Sequence, residues 1–286
     1  MILTSSSNTT VSAFIPCFNH WDTIECAVKS IENQSIHVSE ILIIDDGSNL
    51  SCSHERLMQN SKVKIIRLSQ NRGRGYCRNL AFEKTSSEYV LHLDATNALD
   101  FCFIEKALPH FSDSRIAAVS GALVSKDKEK FVDRWRARHL FREANLKDAS
   151  AEPCAMLITY GTMFRRSAIE KVGGFNQRLR YKEDQDMGER LYQAGYQIIG
   201  DPNIKIYSSK SNTVCEVLER YSRWYMDADE IPSLRAYFHN LKASVRIMMR
   251  LDIKEGDWAS AFLSLLTPHF QLYHSIKSSK TKHENF

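Results

Sequence analysis

The sequence of 286 residues lacks the features that mark several large classes of protein. Its seven cysteines are odd in number and include no Cys-x-x-Cys spacing, which favours reduced thiols over a disulfide framework. No apolar run approaches the roughly 20 residues that a membrane-spanning helix needs. Residues 1–10 are polar and show no basic region followed by an apolar core, so no signal peptide is predicted. These absences predict a cytoplasmic protein.

The charge balance also excludes a class of partner. The formal net charge is +4, which is small for a chain of this length. A general nucleic-acid binder would show a strongly basic domain or stripe. No nucleic-acid partner is therefore predicted, and the ordinary apolar content indicates a globular protein with a substantial core.

The first 120 residues alternate between short apolar runs and segments of helical periodicity. The predicted strands are 11–16, 41–44, 63–68, 89–93 and 116–120, and the predicted helices are 22–31, 51–60, 75–84 and 101–111. Strands that alternate with helices imply right-handed crossovers. The sequence therefore predicts an α/β fold with a doubly wound, mostly parallel sheet.

The pattern changes after residue 120. The charged residues 126–147 predict an exposed helical excursion, and the chain from residue 213 onward is predicted to be helical. Between them we predict strands at 155–159, 162–164, 196–200 and 204–207, with helices at 167–172 and 183–194. The predicted organisation is a flexible N-terminus (1–10), a sheet domain (11–212, with halves 11–120 and 121–212), a C-terminal helical extension (213–277) and a polar tail (278–286).

Two adjacent carboxylates, Asp45 and Asp46, follow the apolar run 41–44 directly and precede Gly47. In an open parallel sheet, ligands bind just outside the carboxyl ends of the strands. The carboxylates could accept hydrogen bonds from a base or a ribose, or hold a cation. The alternative is an ordinary turn, because Asp and Gly are common turn residues.

A second candidate site lies at residues 71–79, where a predicted strand ends and a helix opens. Arg72, Arg74 and Arg78 are interleaved there with two glycines. A helix N-terminus binds phosphate, and guanidinium groups pair bidentately with such oxyanions. Arg78 stands where a dinucleotide-binding loop would have its third glycine, so a dinucleotide cofactor is disfavoured. The alternative is a solvated basic loop.

Further acids occur at the end of the strand 89–93 and at the start of the helix 183–194. Asp94 could contact a ribose or a hydrated metal ion. His92, two residues earlier in the same strand, is predicted to be a packed core residue. Glu183 and Asp184 either stabilise the first helical turn or, if they face a cleft, act on an acceptor proton.

These segments, in this order and spacing, resemble family-2 glycosyltransferases of the GT-A fold. The resemblance covers about residues 11 to 210. The matching elements are Pro16-Cys17-Phe18-Asn19, Asp45-Asp46-Gly47-Ser48, Asn71 to Asn79, Asp94-Ala95-Thr96, Gly173-Gly174-Phe175, and Glu183-Asp184 with Asp186 and Arg190.

The resemblance implies an inverting transferase that moves a sugar from a nucleotide-sugar, most simply a UDP-sugar, to an acceptor hydroxyl in surface glycan synthesis. It implies Asp184 as the catalytic base, with Glu183 beside it. It also implies that Asp46 accepts from the base and that Asp45 orients its turn. The residues implied for nucleotide-sugar binding are Pro16, Asn19, Asp45, Asp46, Arg72, Arg78 and Asp94. The acceptor would be a glycan, a lipid-linked sugar or another hydroxyl compound.

The sequence departs from the family pattern at the expected metal site. The Asp-x-Asp element reads Asp94-Ala95-Thr96, so the second acid is missing, and residues 206–210 lack the histidine that many relatives carry. Three explanations follow. Asp94 and the donor diphosphate hold Mn²⁺ or Mg²⁺ weakly, or a cation such as Arg72 or Lys210 replaces the metal. In the third, the protein is a non-catalytic nucleotide-sugar-binding partner of an active enzyme.

The C-terminal extension combines apolar and aromatic residues with the basic residues Arg235, Lys242, Arg246 and Arg250. Such helices either pack against other helices with a solvated basic face, or attach to an anionic membrane. The second alternative adds peripheral contact at the inner face of the membrane to the cytoplasmic expectation.

Overall fold

The computed structural model describes residues 9–50, 55–146, 149–154, 156–210, 212–225 and 233–283. The chain divides into two compact units. The first, the sheet unit, comprises Met1–Val124 and Leu146–Lys210. The second, the helical unit, comprises Ser125–Asn145 and Ser211–Phe286. Each unit therefore contains two separate stretches of the chain.

Strands and helices follow one another along the chain. The strands are β1 (Val11–Cys17), β2 (Glu40–Asp45), β3 (Val63–Arg67), β4 (Tyr89–Leu93), β5 (Asn97–Leu99), β6 (Ile116–Ser125), β7 (Glu152–Pro153), β8 (Gly161–Arg165) and β9 (Gln197–Ser208). The α-helices are α1 (Trp21–Glu32), α2 (Glu55–Gln59), α3 (Arg74–Lys84), α4 (Phe103–Ala107), α5 (Phe131–His139), α6 (Arg166–Lys171), α7 (Glu183–Gln193), α8 (Val214–Tyr225), α9 (Leu234–Ala243), α10 (Arg250–Lys254) and α11 (Trp258–His283). A π-helical segment, Ser244–Met249, joins α9 to α10.

The strands of the described residues form one sheet in the order β3-β2-β1-β4-β8-β6-β9-β5, with β7 paired to β9. The neighbouring strands β3, β2, β1 and β4 are parallel. β8 runs antiparallel to β4 and β6, and β5 runs antiparallel to β9. The α/β prediction is confirmed, with the parallel strands gathered in the first half of the sequence.

The parallel strands form where the sequence has short aliphatic runs. Residues 41–44 of β2 are almost fully buried, as expected for a strand covered on both faces. In register, Cys17 pairs with Asp45 and Phe14 with His92. The carboxyl ends of β1, β2 and β4 therefore meet at one edge of the sheet, which holds the candidate site.

Several element predictions need correction. The predicted strand 155–159 does not form, because residues 156–160 are irregular and residue 155 lies outside the described residues. The two strands predicted at 196–200 and 204–207 are one strand, β9. Of the helix predicted at 51–60, residues 55–59 are helical and residues 51–54 lie outside the described part. α11 continues to His283, through most of the predicted polar tail.

The prediction of an exposed excursion at 126–147 is wrong for α5. Val132 and Trp135 are buried in a cluster with Val217, Leu218 and Leu263. The Trp135 indole donates a hydrogen bond to Ser264 Oγ over 2.8 Å. Burial of this apolar surface holds α5 to the C-terminal helices. The prediction that the chain is helical after residue 213 agrees with α8 to α11.

Candidate active site

A turn follows the end of β2, and the side chain of Asp45 bonds to its backbone. This side chain is fully buried, and Oδ1 accepts a hydrogen bond from the Ser48 amide at 2.9 Å. Arg67 Nη1 lies 3.4 Å from the second carboxylate oxygen. Gly47 has a φ of 73°, and a Cβ there would lie 2.6 Å from the Gln70 backbone carbon. This hydrogen bond from the Ser48 amide lets Asp45 hold the turn in place.

Asp46 joins this turn to the loop before α3. One carboxylate oxygen accepts from the Arg72 amide at 2.6 Å, and the other accepts from the Gly73 amide at 2.9 Å. Such charge-assisted pairs are stronger than neutral hydrogen bonds. The side chain is almost fully buried. Asp46 thus holds the backbone of the arginine loop, and each of its oxygens keeps a further lone pair, so its acceptance of a hydrogen bond from a nucleotide base stays a prediction.

Asn19 ties the end of β1 to the same turn. Its amide donates to Ser48 Oγ at 2.8 Å, and its Oδ1 accepts from the Asn49 amide at 2.9 Å. The φ of Asn19 is 58°, a left-handed conformation that Asn tolerates better than most residues. Pro16 is half-buried within β1. The structure therefore brings Pro16, Asn19, Asp45 and Asp46 together at one edge.

Three exposed arginines surround the N-terminus of α3. Arg72 lies over the Tyr76 ring at 4.4 Å, and Arg74 is the first residue of the helix. The third, Arg180, donates to Asn71 Oδ1 at 2.9 Å. Gly73 precedes the helix with a φ of 91°. The first amides of a helix and nearby guanidinium groups favour an anion. Arg180 was missed by the sequence reasoning, because nothing in its local sequence marks it.

Arg78 departs from the prediction that it faces the nucleotide or its phosphates. Its side chain is only 2% exposed, and Nη1 donates to Glu183 Oε1 at 2.8 Å. Nη2 donates to Thr159 Oγ1 at 2.6 Å. Glu183 is also 2% exposed. The two residues form a buried ion pair that joins α3 to α7, so neither is placed to contact a ligand directly.

Asp184 differs from its neighbour Glu183. It is half-buried in the first turn of α7, and its Oδ1 accepts from the Gln185 amide at 3.0 Å. Lys182, immediately before the helix, has a left-handed φ of 60°. Non-glycine residues in this conformation cluster at functional sites. The turn and the buried Glu183 together set the position of the Asp184 carboxylate.

Asn79 attaches the Gly173-Gly174-Phe175 turn to α3. Its amide nitrogen donates to the Phe175 carbonyl at 2.8 Å, and its Oδ1 accepts from the Phe175 amide at 2.7 Å. A Cβ on Gly174 would lie 2.8 Å from this oxygen, and its φ is 75°. The glycine is required by close approach and by conformation. α3, this turn and α7 therefore form one connected support for the site.

Asp94 follows β4, and its side chain is 43% exposed. Its amide donates to the Tyr160 carbonyl at 3.3 Å. His92 Nε2 lies 3.5 Å from Asp94 Oδ1, but His92 is fully buried and stacks on Phe14 at 4.8 Å. Burial, with Arg78 and Arg74 adding repulsion, lowers the pKa of His92 well below its ordinary value. His92 is thus a neutral core residue, as predicted.

The residues around Asp94 do not fit a divalent-cation site built by the protein alone. Thr96 occupies the position of the second acid, and its carbonyl accepts from the Ser209 amide at 2.9 Å. This bond brings residues 208–210 beside residues 95–97. Within the described ranges, no three His, Cys, Asp or Glu side chains cluster as metal ligands. Hard cations need several oxygen ligands, and the Asp94-Ala95-Thr96 segment offers one carboxylate.

Sequence comparison identifies a family and distant relatives. The model of the family described as "Glycosyl transferase family 2" matches residues 12–173. The poly-beta-1,6-N-acetyl-D-glucosamine synthase of Staphylococcus aureus (strain MSSA476) is 24% identical over 238 residues, or 81% of this chain and 57% of that protein. The chain thus spans less than two thirds of the length of the curated relatives that it matches.

Solved structures share the fold at low identity. The mannosyltransferase PcManGT from Pyrobaculum calidifontis, in complex with GDP-Man and Mn²⁺, gives a TM-score of 0.54 at 15% identity, covering 96% of this chain and 75% of that one. Staphylococcus aureus TarS 1–349 gives 0.56 at 14% identity, covering 97% and 92%. These likenesses concern the fold alone.

Proposed function

Because the chain belongs to glycosyl transferase family 2, we propose that it transfers a sugar from a nucleotide-sugar, most simply a UDP-sugar, to an acceptor hydroxyl with inversion. The observation that carries this proposal is the joining of three family motifs at one sheet edge. Asn19, the Asp45-Asp46 turn and the arginine loop are held to one another by hydrogen bonds. A ligand placed there meets the carboxyl ends of parallel strands.

In this proposal the nucleoside lies along the edge formed by Pro16, Asn19 and the 45–48 turn. The diphosphate lies near the N-terminus of α3. Arg72, Arg74 and Arg180 are exposed there and supply the positive charge that a diphosphate needs. Asp46 holds the Arg72 and Gly73 amides in place, and the remaining lone pairs of its carboxylate accept from the base.

Asp184 is proposed as the catalytic base. It accepts the proton of the acceptor hydroxyl while that oxygen attacks the anomeric carbon from the face opposite the diphosphate. The bond between the anomeric carbon and the phosphate oxygen breaks, and the diphosphate leaves with the electron pair. The products are a glycoside of inverted configuration and a nucleoside diphosphate. Half-burial of Asp184 keeps part of its carboxylate accessible to an acceptor.

Glu183 is proposed as a positioning residue rather than a second base. Its carboxylate is committed to Arg78, and Arg74 Nη1 lies 3.8 Å from the same oxygen. The Arg78–Glu183 pair fixes the start of α7, and therefore fixes where Asp184 projects. This division of roles explains how two adjacent acids serve one reaction.

No step of the proposed reaction passes through a divalent cation, because the side chains around Asp94 do not fit one alone. Any Mn²⁺ or Mg²⁺ would be held mainly through the diphosphate of the donor, with Asp94 as the protein ligand. The exposed arginines stabilise the negative charge that develops on the leaving diphosphate, since fixed cations can stabilise such charge.

The proposed acceptor is a glycan, a lipid-linked sugar or another hydroxyl compound, in the assembly of a surface polysaccharide. The support is the name of the staphylococcal relatives, which are poly-beta-1,6-N-acetyl-D-glucosamine synthases. The proposed location is the cytoplasmic side of the membrane, where nucleotide-sugars and a membrane-bound acceptor can meet.

One observation favours a second candidate function. Thr96 replaces the second acid of the metal motif, which is the change expected in a protein that binds a nucleotide-sugar without turning it over. In that case the chain would be a partner of an active glycosyltransferase.

Nucleotide release from a panel of nucleotide-sugars distinguishes these functions. We expect release with at least one donor, persistence of part of it in chelator, and loss of it in Asp184→Asn. Glu189→Gln is the matched control, because Glu189 is an exposed acid on the same helix. Donor binding without release from any donor would favour the binding partner. Full release by Asp184→Asn would exclude the proposed base.

A further inference from the structure

In the long helix α11, a polar stripe is buried and an apolar stripe is exposed, which is the reverse of an ordinary surface helix. Along the centre of its buried side runs a polar stripe, which Ala261 and Leu263 flank: Ser260, Ser264, Thr267, Gln271 and Ser275. Its exposed large side chains are apolar or aromatic: Trp258, Phe262, Tyr273 and Ile276. At 3.6 residues per turn, each set falls within roughly 80° on the helix, and the two sets lie on opposite sides.

Hydrogen bonds within the helical unit hold the polar stripe of α11 inward. Ser264 Oγ donates to Asp252 Oδ2 at 2.5 Å and accepts from the Trp135 indole at 2.8 Å. Ser260 Oγ donates to Asp257 Oδ2 at 2.8 Å and lies 3.1 Å from the Phe131 carbonyl. Buried polar groups are normally satisfied in this way. The orientation of α11 is therefore specified by its own polar contacts, and its apolar stripe is left outside.

The helix α9 repeats this arrangement. Leu234, Phe238 and Val245, the last in the following π-helical segment, share one face and are exposed. Polar residues of α9 and of the π-helical segment bond to α11. Tyr237 Oη lies 3.0 Å from His269 Nδ1, Asn240 Nδ2 donates to Gln271 Oε1 at 3.4 Å, and Ser244 Oγ donates to the Ser264 carbonyl. Two neighbouring helices thus expose apolar stripes.

The exposed charge of this region is mainly positive, with Glu255 as an exposed acid. Residues 233–283 include eight Lys or Arg and three acids. Two of these acids, Asp252 and Asp257, are buried in ion pairs with Arg138 and Arg134. The exposed basic side chains include Arg235, Lys242, Arg246, Arg250 and Lys254. The same face of a second copy would repel this one, whereas an anionic surface would attract it.

We propose that the exposed apolar stripes of α9 and α11, together with the adjacent basic side chains, bind the surface of an anionic lipid bilayer. A helix with an apolar face and a basic flank lies in the interface between head groups and acyl chains. Phe238, Phe262 and Trp258 enter this interface, and Arg235, Lys242 and Arg246 contact anionic head groups. In the described part of the chain, no helix is long and apolar enough to cross a membrane.

This surface goes beyond the proposed transfer reaction, and it can be tested without a donor or an acceptor. The full chain is mixed with vesicles of phosphatidylcholine alone, or of phosphatidylcholine with phosphatidylserine, and bound protein is measured by sedimentation. We expect binding to the anionic vesicles that weakens as salt is raised. Brominated lipids should quench the fluorescence of Trp258, which is measured as the difference between the parent and Trp258→Phe.

Two variants separate the apolar and electrostatic contributions. Phe238→Ser combined with Phe262→Ser should abolish vesicle binding, because it removes two aromatic side chains from the interface. Arg235→Gln, Lys242→Gln and Arg246→Gln together should weaken binding to anionic vesicles by about a hundredfold. The control is Phe101→Ser in the sheet unit, because Phe101 is as exposed (62%) as Phe238 (62%) and Phe262 (61%).

Several outcomes would overturn the proposal. One is a parent protein that leaves anionic vesicles unbound. Another is an equal loss of binding in Phe101→Ser. A third is a dimer in solution that dissociates in the double phenylalanine variant while vesicles bind no protein. If the double variant fails to fold, the quenching of Trp258 decides, and its absence in the parent would count against the lipid surface. Nucleotide release with a soluble acceptor stays unchanged in the control and in Trp258→Phe.

Discussion

Arg78 and Glu183 illustrate how a charged residue near an active site can act through position alone. They are 105 residues apart in sequence, and both are buried. Breaking such a pair leaves one charge without its partner in a medium of low dielectric, which costs more than the pair itself contributes. At the scale of single residues, the candidate site therefore depends on a charge pair that no ligand touches.

Glu183→Gln should lower the free energy of unfolding by about 3 kcal/mol, because Arg78 keeps its charge and loses its counter-ion. Replacing both residues, as Arg78→Met with Glu183→Leu, should cost less than the sum of the two single changes. Urea unfolding of the parent, Arg78→Met, Glu183→Leu and the double variant measures this coupling. Additive costs would show that the pair is not coupled.

The sequence predicted the placement of residues that belong to a short motif after a strand. Asp45, Asp46 and Asn19 follow strands, and such positions meet at one edge of a parallel sheet. It did not predict that Arg78 is buried, since its partners Thr159 and Glu183 lie far along the chain. For the same reason it missed Arg180, whose contact with Asn71 spans 109 residues.

At the scale of elements, α5 is held to the C-terminal helices by buried charge as well as by apolar contact. Asp257 accepts from Arg134 Nε at 2.7 Å and from Ser260 Oγ at 2.8 Å, and it also pairs with Arg138. Burial alone would raise the pKa of Asp257, but hydrogen bonds from Arg134 and Ser260 outweigh it and lower the pKa. The folded state therefore favours the ionised carboxylate.

Because the folded state lowers the pKa of Asp257, the free energy of unfolding should fall as the pH is lowered. Asp257 has an unfolded pKa of about 3.9 and a lower folded pKa, so its stabilisation is complete above about pH 4 and is lost as the pH falls further. Asp257→Asn should lower the free energy of unfolding at neutral pH by about 3 kcal/mol and flatten its fall below pH 4. Asp127→Asn, an exposed acid in the same unit, is the control. An unchanged acid slope in Asp257→Asn would contradict the assignment.

Elements with a strong local sequence pattern could be predicted, whereas elements that depend on distant contacts could not. Short aliphatic runs predicted the strands β1 to β4. Two strands were predicted at 196–200 and 204–207, but the chain continues as one strand between them, where Asp201 Oδ1 accepts from the Asn203 amide at 2.8 Å. The charges of residues 126–147 indicated exposure, because their buried partners lie in the C-terminal region.

On the scale of the whole molecule, the discontinuity of the helical unit has a measurable effect. A chain ended at residue 210 retains α5 and lacks the helices that cover Val132 and Trp135. We expect this chain to expose apolar surface and to aggregate. Replacing residues 125–145 in it by a short Gly-Ser linker removes that surface.

Light scattering and the binding of a hydrophobic dye compare the two truncated chains. The chain with the linker should stay dispersed and bind less dye, while the chain that keeps α5 should scatter strongly. Equal behaviour of the two would show that α5 needs no cover from the C-terminal helices.

Because the helical unit is discontinuous in sequence, α5 is synthesised well before the helices that it packs against. Trp135 and its hydrogen-bond partner Ser264 are separated by 129 residues. At about 5–20 residues per second, the ribosome needs roughly 6 to 26 seconds to deliver the partner after the tryptophan has been made. Throughout that interval the nascent chain carries an amphipathic segment with nothing to pack on. We therefore expect the yield of this protein in a cell to depend on elongation rate and on chaperones that shield α5 until synthesis is complete.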